Sequence, residues 1–78
     1  MQKEINILIV DDDAVFCRLL IDIFSENGYK LTSVGSIALA KNELSNKFYN
    51  IALIDLKLPD GFGLDLIKYI RKINEDGV

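Results

Sequence analysis

The run Ile51-Ala52-Leu53-Ile54 is short, wholly apolar, and ends at a carboxylate, Asp55. Such a run predicts a strand buried on both faces, as in a parallel sheet whose two sides are both covered. Asp55 then falls where the strand leaves the sheet at its C-terminal edge. Pro59, Asp60, Gly61 and Gly63 follow. Proline lacks a backbone donor and glycine opens otherwise forbidden angles, so this stretch must be a loop. A helical pattern resumes at Leu64. Ligands of open α/β sheets bind beyond the carboxyl ends of the strands, which makes Asp55 a candidate site residue.

A second apolar, β-branched run, Ile5 to Val10, ends the same way, in Asp11-Asp12-Asp13. Between the two runs the hydrophobic period changes twice. Phe16, Leu19, Leu20, Ile23 and Phe24 recur at helical spacing and predict an amphipathic helix, with Asp12 or Asp13 as its cap and Gly28 at its left-handed end. Tyr29 to Val34 alternates less cleanly and reads as an edge strand. Ser36 can cap a second helix marked by Ile37, Ala40 and Leu44, with Lys41, Asn42 and Glu43 on its wet side. A third runs from Leu64 to about Ile73, with Leu66, Ile67, Ile70 and Ile73 facing inward, and Glu75-Asp76-Gly77 marks its end or a linker.

The order is therefore β-α-β-α-β-α. Right-handed crossovers make 2-1-3 the simplest strand order, an α/β doubly wound parallel sheet of flavodoxin-like topology. The two carboxylate-ending strands then lie side by side where the strand order reverses, and their acids share one pocket. Crowded like charges are costly without a cation. An oxygen-only donor set with no imidazole or thiolate suits a hard ion, Mg²⁺ before Ca²⁺. A carboxylate beside Mg²⁺ can attack a phosphoryl group and form an acyl phosphate.

Composition narrows the alternatives. Seventy-eight residues allow one small domain, and half of them are apolar, as a packed core requires. The net charge of −3 argues against nucleic acid or an anionic membrane as the main partner. No apolar stretch approaches the roughly 18 residues of a membrane span, and Met1-Gln2-Lys3-Glu4 does not read as a signal peptide. The lone Cys17, read as a structural residue on a helix flank, cannot form an internal disulfide, so a cytoplasmic location is expected. The absence of histidine removes His-based triads, most zinc sites and phosphohistidine within the chain.

The motifs Ile-Val-Asp11-Asp12-Asp13 and Asp55-Leu-Lys-Leu-Pro59-Asp-Gly-Phe-Gly63 resemble the two signatures of response-regulator receiver domains in two-component signalling. The resemblance implies that Asp55 is phosphorylated by a sensor histidine kinase. It also implies that Asp12 binds Mg²⁺ directly and Asp11 through water, with Asp55 and the backbone carbonyl of Lys57 completing the protein ligands. Pro59 and Gly63 match the family's loop positions. The Leu-Pro-Asp-Gly-Phe-Gly-Leu stretch also looks like receivers attached to transcription regulators. The implied role is a phosphoacceptor rather than an enzyme.

A full member of that family has five βα units. Residues 1–78 match an N-terminal portion, with the fourth and fifth units absent from them. The family's Ser/Thr, Lys and switch aromatic from those units have no counterpart here, so impaired phosphorylation is expected. The third strand is then expected to expose an apolar edge, and a homo-oligomer through that edge follows.

Two other classes fit parts of the chain. Asp11 and Asp13 have the spacing of a haloacid-dehalogenase-like phosphatase, but Ala14-Val15 replaces the expected Gly-Thr. A shortened receiver acting only in dimerisation or docking is the third reading. Asp60 and Asp65 read as turn and first-turn helix residues. Phe62 reads as loop packing or a partner contact. Gly61-Phe62-Gly63 lacks the third glycine of a dinucleotide fingerprint.

Overall fold

The computed structural model describes residues 4–76. Its elements in order are β1 (Asn6–Val10), α1 (Ala14–Ser25), β2 (Lys30–Val34), α2 (Ile37–Asn46), β3 (Ile51–Ile54), β4 (Lys57–Leu58), β5 (Gly61–Phe62) and α3 (Gly63–Asp76). The main sheet is parallel with order β2-β1-β3, as expected. Val10 pairs with Val34 on one side and with Ile54 on the other, so all three strands end level.

β1 is the centre of the molecule, and its alternation explains why. Leu8 and Val10 face one side and are fully buried with Ile37, Ala40, Leu58 and Leu66. Ile7 and Ile9 face the other and are buried with Cys17. Residues i and i+2 of a strand share a face, so one strand seeds two cores. α2 and α3 cover the first and α1 the second. Asp13 caps α1 by accepting from the Phe16 N–H at 3.0 Å, and Ser36 caps α2 by accepting from the Leu39 N–H at 3.2 Å. Gly28 takes the left-handed conformation (φ +85°) that closes α1.

Four expectations need correction. β3 is not buried on both faces: Ile51 and Leu53 are 44% and 42% exposed. The side chains around the Ile7–Ile9–Cys17 core come from α1, β2 and neighbouring residues, and none from β3. α1 turns only part of its expected face inward. Cys17, placed on a flank by the spacing alone, is its buried residue, with Leu20, Ile21 and Phe24 half-buried, while Phe16, Leu19 and Ile23 are exposed. The helix has more apolar residues than one layer can cover, and it rolls toward β2. In α3, Ile67 is exposed although read as inward; Leu66 is buried and Tyr69, Ile70 and Ile73 are half-buried. The helix runs on past Ile73 to Asp76, within the Glu75-Asp76-Gly77 stretch read as its end or a linker, and Gly77 lies outside the described residues. Finally, the loop after Asp55 contains an antiparallel pair, with Lys57 opposite Phe62 and Leu58 opposite Gly61.

Among the described residues no helix is long and apolar enough to cross a membrane.

Candidate acidic site

The site is built by extending the sheet one residue beyond its last pairs. The Asp55 N–H donates to the Val10 carbonyl at 2.9 Å, and the Asp11 N–H donates to the Val34 carbonyl at 3.0 Å. Both acids are thereby held at the strand ends by backbone bonds. Asp11 Oδ1 accepts from the Asp13 N–H at 2.9 Å, which turns the chain toward α1. One carboxylate oxygen each of Asp11, Asp12 and Asp55 lies within 4.8 Å of the others. Asp11 and Asp55 are half-buried and Asp12 is exposed.

Three formal negative charges at that spacing repel one another, and a small divalent cation would relieve the strain while leaving room for water ligands. The donor set fits such an ion. Asp13 does not belong to this cluster, because its side chain is the cap of α1. Lys57, two residues past Asp55, opens β4 and carries an exposed side chain.

The loop residues behave differently from one another. A Cβ on Gly63 would stand 2.1 Å from the Asp55 carbonyl oxygen and 2.9 Å from Ile54 Cγ2. Only glycine fits there, and its N–H donates to the Leu56 carbonyl at 2.8 Å. Pro59 is exposed in the turn between β4 and β5. Asp60 has a larger part than the turn role read from its position. Its carboxylate accepts from the first two N–H groups of α2, Ile37 at 2.8 Å and Ala38 at 3.0 Å. Those bonds, Ile37 first, hold its carboxyl below the usual carboxylate range. No local signal announces this contact, since Ser36 already accounts for the start of α2. Asp65 lies in the first turn of α3, and Phe62 is exposed.

Cys17 lies behind the cluster, its thiol 3.5 Å from the Asp11 carbonyl oxygen. Burial pushes the thiol pKa up, and the charges of Asp11 and Asp13 add to the effect. On the other side of Asp11 and Asp55, an apolar trough of about 340 Å³ runs between α1 and β3, lined by Phe16, Leu20, Phe24 and Leu53.

Comparison with known proteins agrees with this architecture. Residues 7–78 match the response regulator receiver domain. The acid tolerance regulatory protein ActR of Rhizobium meliloti is 37% identical over 71 residues, covering 91% of this chain and 37% of that protein. The transcriptional regulatory protein BasR of Escherichia coli is 36% identical, covering 86% and 30%. A CheY-like receiver domain from Methanospirillum hungatei superposes with a TM-score of 0.87 at 32% identity, over 91% of this chain and 57% of that one. The Thermotoga maritima response regulator TrrA, solved in complex with Mg(2+)-BeF, gives 0.85 at 28% identity, over 92% and 63%. The chain thus spans well under half of those curated relatives and about three fifths of those solved chains. From its parallel 2-1-3 sheet, its acidic strand ends and the match over residues 7–78, the chain belongs to the response regulator receiver domain family of two-component systems.

Proposed function

We propose that Asp55 accepts a phosphoryl group from the phosphohistidine of a sensor histidine kinase. The observation that carries this reading is the convergence of Asp11, Asp12 and Asp55 to within 4.8 Å. Asp12, Asp55 and the Lys57 carbonyl would hold Mg²⁺, with Asp11 acting through water. When bound, the ion neutralises charge on the phosphoryl oxygens. A carboxylate oxygen of Asp55 attacks phosphorus, the P–N bond to the donor imidazole breaks, and the released ring nitrogen takes a proton. The product is an aspartyl phosphate, and the backbone bond from Asp55 to Val10 keeps the nucleophile in place throughout. TrrA, solved in complex with Mg(2+)-BeF, supports the cation assignment by its similarity.

Residues 1–78 on this reading form the N-terminal, phosphoacceptor part of a receiver, working in the cytoplasm without direct nucleic-acid contact. The Ser/Thr and Lys that the resemblance implies belong to the family's fourth and fifth βα units, and residues 1–78 match the first three. Intact mass after incubation with Mg²⁺ and a small-molecule phosphodonor tests the proposal. One added phosphoryl group is expected, absent from Asp55→Asn and from the Mg²⁺-free sample. Modification that persists in Asp55→Asn moves the nucleophile elsewhere, to Asp11 on the phosphatase-like reading. No uptake by the folded chain leaves docking as its role.

A further inference from the structure

Two loops flank the acidic cluster, and one side chain ties them together. The first follows β3 and contains Asp55, Lys57 and the β4–β5 hairpin. The second joins β2 to α2. Its Gly35 lies against Asp12, with 3.8 Å between an ideal Gly35 Cβ and the Asp12 Cα. Asp60, in the hairpin turn, reaches the start of α2 and accepts from two successive N–H groups at 2.8 and 3.0 Å. A carboxylate that engages two fixed donors sets orientation as well as distance. The base of the hairpin is fastened separately, by the Gly63 N–H to Leu56 carbonyl bond. Leu58 is buried in the core beside Ile37, which leaves the turn itself held in polar fashion by Asp60.

α2 does not depend on Asp60 for its only cap, because Ser36 already accepts from Leu39. We propose that Asp60 is a positioning residue for the cation site, fixing the hairpin that begins at Lys57 relative to α2 and to the Asp12 side of the cluster. This rests on the proposed function, in which the Lys57 carbonyl is a ligand. Mg²⁺ demands near-octahedral geometry and tolerates little wandering of a carbonyl ligand.

Calorimetric Mg²⁺ titration of the wild-type 78-residue chain, Asp60→Ala, Asp60→Asn, Ser36→Ala and Asp55→Asn tests it, with circular dichroism to establish folding. Asp60→Ala is expected to bind Mg²⁺ roughly tenfold more weakly, the low end for loss of a residue supporting metal ligands. Asp60→Asn keeps one acceptor oxygen and falls between the two. Ser36→Ala weakens α2 without touching the hairpin and keeps wild-type affinity. Wild-type affinity in a folded Asp60→Ala overturns the proposal, as does an equal loss in Ser36→Ala, which would make the effect one of helix stability. If Asp60→Ala does not fold, Asp60→Asn decides, and wild-type affinity there overturns it. If Asp55→Asn binds as the wild type does, or the wild type binds no Mg²⁺, the cation site itself fails and this inference fails with it. A working cation site with a flat Asp60 response sinks this inference alone.

Discussion

At Gly63 the sequence spacing and the structure agree on the residue but supply different reasons. The spacing from Asp55 matches a family motif, whereas in the fold a backbone oxygen lies 2.1 Å from where a Cβ would go. Backbone cannot yield as the tip of a side chain can. Gly63→Ala is therefore expected to destabilise the fold by about 3 kcal/mol, at the upper end for overpacking, read as a lowered urea midpoint. Cys17 carries a prediction of the opposite kind, about inertness. Its raised pKa leaves less thiolate at a given pH, and its burial blocks approach. At pH 8 its reaction with a thiol reagent is expected to be at least about tenfold slower in the folded chain than in urea, where burial and fixed carboxylate neighbours are lost. Equal rates would mean that the α1 face opens readily.

At the scale of elements, period and caps were readable in the chain because both are local. Asp13, one of the two caps open to α1, and Ser36 cap their helices, and Gly28 ends α1. The second hold on α2 was not readable, since Asp60 lies 22 residues from Ala38 in sequence. Its lowered pKa gives it a pH signature. A carboxyl whose folded pKa is depressed stabilises fully above its unfolded value, near 3.8, and that stabilisation is lost as pH falls through the folded value. The stability gap between wild type and Asp60→Asn should thus stay constant from pH 7 to about 4 and close below it, as followed by urea unfolding at each pH. A gap that persists under acid would show that the charge is immaterial. The inward face of α1 was legible only in part, at Leu20 and Phe24, for a related reason. Phe16, Leu19 and Ile23 satisfy the helical period as well as Cys17 and Leu20 do, and period alone does not say which part of a wide apolar face meets the sheet.

Across the whole molecule, two features lie on the same side. Among the described residues β3 pairs only with β1, and Ile51 and Leu53 are exposed beside the trough lined by Phe16, Leu20 and Phe24. An apolar strand edge next to an apolar trough is a template for association. Sedimentation of the 78-residue chain is expected to show concentration-dependent self-association, shifted toward monomer by Leu53→Glu. A monomer at every concentration would remove that expectation. The strand-helix alternation, the 2-1-3 order and the meeting of two acidic strand ends were legible in the chain. They follow from hydrophobic period, turn chemistry and the handedness of crossovers, which act over a few residues or hold for every sheet of this kind. Tertiary packing alone decided which part of its apolar face α1 buries and what Asp60 holds. Each of those depends on which distant surface is available to cover an apolar face or supply a donor, and that is a property of the assembled layers rather than of any local stretch.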